Sequence, residues 1–143
     1  MKTITLDTIG RAEMEVTVDT LALTSKSGAV PVFATPNLIL IMEIAAVNAL
    51  EPYMEPGEVT VGTLVDVRHL APTPVGLTVT ATAKLTAIDG RRLVFHVEAH
   101  DGAEVVGAGT HERFLVDYDR FISRATEKST RKTTCSVEEK KSN

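Results

Sequence analysis

The hydrophobic period of the chain changes twice. Residues 12–18 (AEMEVTV) alternate apolar and polar side chains, the period of two that sends successive residues to opposite faces of a strand. Residues 20–27 fit neither period, and Gly28-Ala29-Val30-Pro31 reads as a connector, because glycine and proline interrupt regular structure. Thr35 followed by Pro36 then predicts a helix start: a threonine hydroxyl caps free backbone N–H groups, and proline suits the first helical position. The apolar run that follows predicts one helix to about Leu50, where Glu51-Pro52 and Glu55-Pro56-Gly57-Glu58 impose a loop.

Beyond that loop the period of two returns. Strict alternation in residues 59–71 (VTVGTLVDVRHLA) puts Val61, Thr63, Val65, Val67 and His69 on one face, with Gly62, Leu64, Asp66, Arg68 and Leu70 on the other. Residues 77–88 (LTVTATAKLTAI) alternate cleanly, and Asp89-Gly90 and Asp101-Gly102 separate them from strands over 92–100 and 104–118. Two Asp-Gly turns predict an antiparallel meander. One long apolar helix against such a sheet predicts an α+β domain, a hotdog fold in which a mostly antiparallel sheet wraps the helix. That domain is expected over residues 1–125; residues 123–143 are polar and charge-mixed, and 126–143 are expected to form a frayed or disordered tail.

Composition narrows the partners. The 143 residues are 43% hydrophobic and carry a formal net charge of -4, which suits one domain with a sizeable core. Without a dense Lys/Arg stripe, neither nucleic acid nor an anionic membrane is expected as the main partner. The first fifteen residues alternate and contain no apolar signal core, and the longest apolar stretch, 38–50, is interrupted by Glu43 and too short to span a bilayer. A cytoplasmic protein is the expectation. The single cysteine, Cys135, lies in the tail, so no disulfide framework or thiolate metal cluster is expected. His96 and His100 share a strand face but stand about 13 Å apart at roughly 3.3 Å per residue, too far to share an ion. EPYMEPGE (51–58) lacks calcium-loop spacing and no phosphate-cradling glycine loop precedes the helix, so no metal and no separate cofactor are expected.

Glu43 stands out as the only charge in the run from 32 to 50. An ionised group buried without partners costs more than a helix recovers, so Glu43 is expected to be paired, protonated or facing a polar cavity. Each option makes it a candidate for chemistry.

Several segments together resemble the hotdog thioesterase family that includes fluoroacetyl-coenzyme A thioesterase: VFAT (32–35), ME (42–43), EPYMEPGE (51–58), VGT (61–63), RHLAPTPVGLTVT (68–80), DGRRL (89–93), AHDG (99–102) and GAGTHER (107–113). Their order and spacing from Val32 to about Phe121 carry the resemblance. It implies hydrolysis of a short-chain acyl-coenzyme A, with Thr35, Glu43 and His69 at catalytic positions. It further implies Gly62 and Arg113 as substrate-binding residues, coenzyme A entering only as part of the substrate, and a homodimer with sites at the interface.

The residue types suit the chemistry. A thioester needs a nucleophile or activated water, a proton acceptor, a donor for the departing thiolate and N–H groups for the oxyanion. Thr35 at a helix N-terminus suits the oxyanion or nucleophile role, and His69 suits proton transfer. Glu43 can orient the histidine, activate water or attack the thioester. Gly62 leaves room beside backbone N–H groups, and the Arg113 fork matches a carboxylate or phosphate. Eight helical steps separate Thr35 from Glu43, about 12 Å along the axis, so the two cannot bond directly. Taken singly, each residue also has a structural reading: helix cap, satisfied buried carboxylate, core histidine, bulge glycine and solvated arginine. The small side chains of Gly28-Ala29-Val30-Pro31, where a lid over the acyl group would lie, favour a general short-chain thioesterase over a fluorine-selective one. The rival readings are a non-catalytic acyl-thioester or small-ligand binding protein and a hotdog hydratase.

Overall fold

The computed structural model describes the backbone of residues 1–142 and the side chains through residue 131. In chain order the elements are β1 (Ile9–Glu15), a one-turn α1 (Ala22–Ser25), α2 (Thr35–Leu50), β2 (Glu58–His69), β3 (Thr78–Asp89), β4 (Arg92–His100), β5 (Val105–Asp117) and α3 (Tyr118–Ser142). The strands form one antiparallel sheet in the order β1-β3-β4-β5-β2, curled around α2 as in a hotdog fold.

The helix has the bounds expected from its apolar run, and both Asp-Gly turns join the strands they were expected to join. Gly90 (φ 60°) and Gly102 (φ 91°) take the left-handed conformation that a tight hairpin turn requires. The first strand differs: β1 begins at Ile9 and ends at Glu15, while the ambiguous stretch after it becomes a 3-10 turn, Val18–Thr20, and α1.

Burial explains the packing. α2 turns Leu38, Ile41, Met42, Ala45, Ala46 and Ala49 toward the sheet, where Val79, Ala81, Ala83 and Leu85 of β3 alternate inward with Leu93, Phe95 and Val97 of β4. The alanines bring α2 close to the sheet, and β1 crosses it at Gly10. A Cβ placed on Gly10 would lie 2.0 Å from the Ala45 carbonyl oxygen and 2.4 Å from the Ala49 nitrogen.

The opposite face of α2 is also apolar. Leu40, Ile44 and Val47 follow one another at helical spacing and are 47%, 39% and 41% exposed; Leu64 and Val65 on the edge strand β2 are similarly uncovered.

Helix α3 (Tyr118–Ser142) runs into the stretch, 126–143, that was expected to be a frayed or disordered tail. Asp117 Oδ1 accepts a hydrogen bond from the Arg120 backbone N–H (3.0 Å) at the start of α3, and the polar composition is accommodated because α3 is exposed from Tyr118 through Arg131. The side chain of Cys135, and Asn143 altogether, lie outside the described residues. No helix among the described residues is long and apolar enough to cross a membrane. His96, Glu98 and His100 are exposed on the outer face of β4.

Candidate active site

The start of α2 is built differently from the sequence expectation. Ala34 is the N-cap residue, with Thr35 and Pro36 inside the first turn, and no side chain caps the helix. The segment is held from outside instead: the Phe33 N–H donates to the Thr73 carbonyl and the Ala34 N–H to the Thr20 carbonyl, both at 2.8 Å. Thr73 is itself anchored by its hydroxyl, which donates to Asp101 Oδ2 (2.9 Å) in the β4–β5 turn.

Freed from capping, the Thr35 hydroxyl lies 2.7 Å from Nδ1 of His69 at the end of β2. Burial holds the His69 pKa below the ordinary imidazole value of 6.5, against a weaker opposing contact with the Ala71 backbone, and its Nε2 is buried with no hydrogen-bond partner of good geometry. A buried polar atom left unpaired is where a substrate atom or water gains most by binding. In either tautomer this pair presents one donor. If Nδ1 accepts from the threonine, the outward group is Nε2–H; if Nδ1 donates, it is the Thr35 O–H.

Eight residues along α2, Glu43 is paired. Its Oε2 lies 3.7 Å from Nη1 of Arg113 while its side chain stays 39% exposed, so the first of the expected options, a partner, is the one met. Arg113 is buried. It donates from Nε to the Thr60 hydroxyl (2.9 Å), from Nη2 to the Thr60 carbonyl (2.9 Å) and from Nη1 to His111 Nε2 (3.3 Å). Burial lowers the Arg113 pKa and Glu43 opposes that shift, so the guanidinium is a fixed cation facing Glu43.

Gly62 belongs to the same cluster, against strict alternation, which puts it on the face away from His69. A β-bulge between Gly62 and Leu64 inserts Thr63 and reverses the parity: Gly62 pairs with Arg113, Val65 with His111 and His69 with Gly107, all toward the helix. A Cβ on Gly62 would lie 3.4 Å from Glu43 Oε2, Arg113 Nη1 and His111 Cε1 alike. The glycine leaves a gap at the carboxylate.

His111 is the residue that sequence reasoning missed. It is 1% exposed, its ring is tilted against that of Phe95 with centroids 6.5 Å apart, and its Nδ1 lies 2.8 Å from the Leu64 carbonyl. A carbonyl only accepts, so Nδ1 carries the proton and Nε2 is the acceptor for Arg113. Burial pushes its pKa down, in keeping with a neutral ring. The available signal was its place two residues before Arg113, on the same strand face.

Of the five expected site residues, the structure thus brings Thr35 to His69, and Glu43 to Gly62 and Arg113. No hydrogen bond or ion pair joins the two groups among the described residues, and Glu43 is paired with Arg113 instead of orienting His69.

A sheet curled about an apolar helix, with a hydroxyl–imidazole pair at the helix mouth and an arginine-paired carboxylate two turns further along it, defines a hotdog enzyme of the thioesterase superfamily. Its likeness to a Thermus thermophilus protein described as a thioesterase superfamily member agrees: 26% identity, TM-score 0.87, covering 94% of this chain and 99% of that one. The family profile of fluoroacetyl-CoA-specific thioesterases matches residues 16–119, and the chain belongs to that family. The fluoroacetyl-CoA thioesterase of Streptantibioticus cattleyicolor is 48% identical over 98 residues, covering 68% of this chain and 70% of the relative. A crystal structure of a mutant of the fluoroacetyl-CoA-specific thioesterase FlK superposes with a TM-score of 0.83 at 36% identity, over 90% of this chain and 99% of that one.

Proposed function

We propose that the protein is an acyl-CoA thioesterase that hydrolyses a short-chain acyl-coenzyme A to the free acid and coenzyme A, acting in the cytoplasm as a homodimer. Thr35, Glu43 and His69 are the catalytic groups in this reading, and Gly62 and Arg113 shape the place where the carbonyl reacts. It requires no cofactor beyond the coenzyme A of the substrate.

The observation that carries it is the division of labour between the two clusters. Hydrolysis adds water across the C–S bond: oxygen joins the carbonyl carbon, sulfur leaves, and one proton must reach the departing thiolate. Glu43, open on one side and backed by Arg113, suits attack on the carbonyl or removal of the water proton; the Gly62 gap admits the reacting carbon. The Thr35–His69 pair supplies the donor for the carbonyl oxygen or the thiolate. Family membership and the 48% identical fluoroacetyl-CoA thioesterase support the thioester substrate. The loop holding Gly28, Ala29, Val30 and Pro31 is exposed and has no aromatic side chain to close over an acyl group, so short acyl chains are accepted without selection for fluorine. A panel of acyl-CoA substrates assayed for free thiol tests the reading. Thiol release from acetyl-CoA and its near homologues supports it; binding without release from any member overturns it in favour of a carrier.

The uncovered surface supports the dimer. The edge strand β2 leaves backbone groups unpaired, and Leu40, Ile44 and Val47 of α2 form an exposed apolar row. Ile44→Glu puts a charge at its centre and should yield monomers by sedimentation, with activity lost alongside. A dimer of unchanged stability would rule out this interface.

The His69 environment sets the pH response. With the folded pKa depressed, the imidazole stays neutral as pH falls through the ordinary value of 6.5 and gains its proton only below it. The acid limb of kcat/KM is therefore expected below that value and should disappear in His69→Ala. A limb at or above it would contradict a buried neutral imidazole in the reaction.

A further inference from the structure

Away from the site, a cavity of about 270 Å³ opens where the end of β5 meets the first turns of α3. It is lined by Arg91 from the β3–β4 turn, Arg120 and Arg124 from α3, and the rings of Phe114 and Phe121. The row continues along α3, since Lys128 and Arg131 line an adjoining hollow with Phe121 and Arg124. Spacing along the sequence conceals this stripe; helical winding assembles it from residues 120, 124, 128 and 131, one turn apart.

What sets these guanidiniums apart is that three of them converge on one cavity. Arg92 is paired with Asp89 and Glu112, and Arg113 with Glu43. No carboxylate forms an ion pair with Arg91, Arg120 or Arg124 among the described residues; Arg91 donates to the Leu115 carbonyl at 3.5 Å, and its charge adds to the lowering of the Glu58 pKa, which the N-terminal ammonium dominates. The one acid in the lining, Asp117, has its Oδ1 engaged by the Arg120 backbone N–H. A concentrated positive charge thus stands on a chain whose net charge is -4.

We infer that this cleft binds the phosphorylated adenosine end of the acyl-coenzyme A, a proposal that rests on the thioesterase reading. Guanidinium forks match phosphate oxygens two at a time, and phenyl rings offer a stacking face to a purine. The position fits the proposed dimer. Two copies of the edge strand β2 related by a twofold pair antiparallel, so the Glu58 end of one copy adjoins the His69 end of the other. Glu58 pairs with Asp117 in the lining of the cleft. The cleft of one copy is thereby turned toward the Thr35–His69 pair of the other, with the nucleotide at the surface and the acyl end inside.

Two measurements on the full chain decide it. Acetyl-CoA and acetyl-pantetheine, which lacks the nucleotide, are compared as substrates of the wild type and of the R91A/R120A/R124A variant, and 3′-phosphoadenosine 5′-phosphate is titrated into both by calorimetry. The expected result is a fall of about tenfold or more in the kcat/KM ratio of acetyl-CoA to acetyl-pantetheine, with nucleotide binding lost in the variant. An unchanged ratio with unchanged nucleotide binding overturns the proposal, as does tighter binding of a DNA duplex or of anionic vesicles than of the nucleotide. If the wild type hydrolyses neither substrate, calorimetry alone decides: arginine-dependent nucleotide binding keeps the cleft and discards the hydrolase, and its absence discards both.

Discussion

Glu43→Gln should lower kcat on acetyl-CoA by roughly a hundredfold or more while KM stays within a few-fold, because general-base or nucleophilic steps are worth about 10²–10⁴ in rate. The substitution keeps the size of the side chain and removes its charge. It leaves Arg113 in place, since Thr60 and His111 hold that guanidinium independently of Glu43. The fold should tolerate the change: Glu43 is 39% exposed in its side chain, and its one ion pair is long at 3.7 Å. A melting temperature near that of the wild type with a collapsed kcat is the expected pair of observations. Turnover within about threefold of wild type in the folded variant would remove Glu43 from the chemistry and leave it a partner for a buried arginine.

The second large effect concerns stability. Gly10→Val should destabilise the domain by about 3 kcal/mol or more, at the upper end of overpacking costs, because no rotamer relieves a clash that begins at Cβ. That atom would lie 2.0 Å and 2.4 Å from backbone atoms of α2 and 2.8 Å from the Ala49 Cβ. Backbone cannot turn aside as the tip of a side chain can, so β1 or the whole helix must move. Such a loss corresponds to a fall of roughly 10 °C in Tm for a domain of this size. Urea and thermal melts measure it directly. A variant as stable as the wild type would mean that β1 does not cross α2 at this point.

How far the sequence alone reaches depends on the range of the interaction concerned. The bounds of α2 and the two Asp-Gly turns were legible because they rest on local chemistry: an unbroken apolar run closed by prolines, and glycines at positive φ. The alternation in β3 was legible for the same reason, since one of its faces is buried and the other is not. The parity of β2 was not. Its bulge at Thr63 shows up only in pairing with β5, and without it Gly62 is assigned to the wrong face. The same limit hid His111, whose role depends on a carbonyl 47 positions away in the chain.

Thr35, Glu43 and His69 could be picked out singly from residue type and context. Which of them bond to one another could not. Thr35 is released from capping because Thr73 and Thr20 hold the segment that leads into the helix, and Glu43 turns to Arg113 because the bulge brings Gly62 and β5 up beside it. By itself, then, the sequence determined α2, the long strands, the fold class and most of the chemical inventory of the site, since these follow from periodicity and side-chain type within a few residues. Only the tertiary structure decided the pairings within the site, because side-chain direction is set by strand register, and register is settled between segments far apart in the chain.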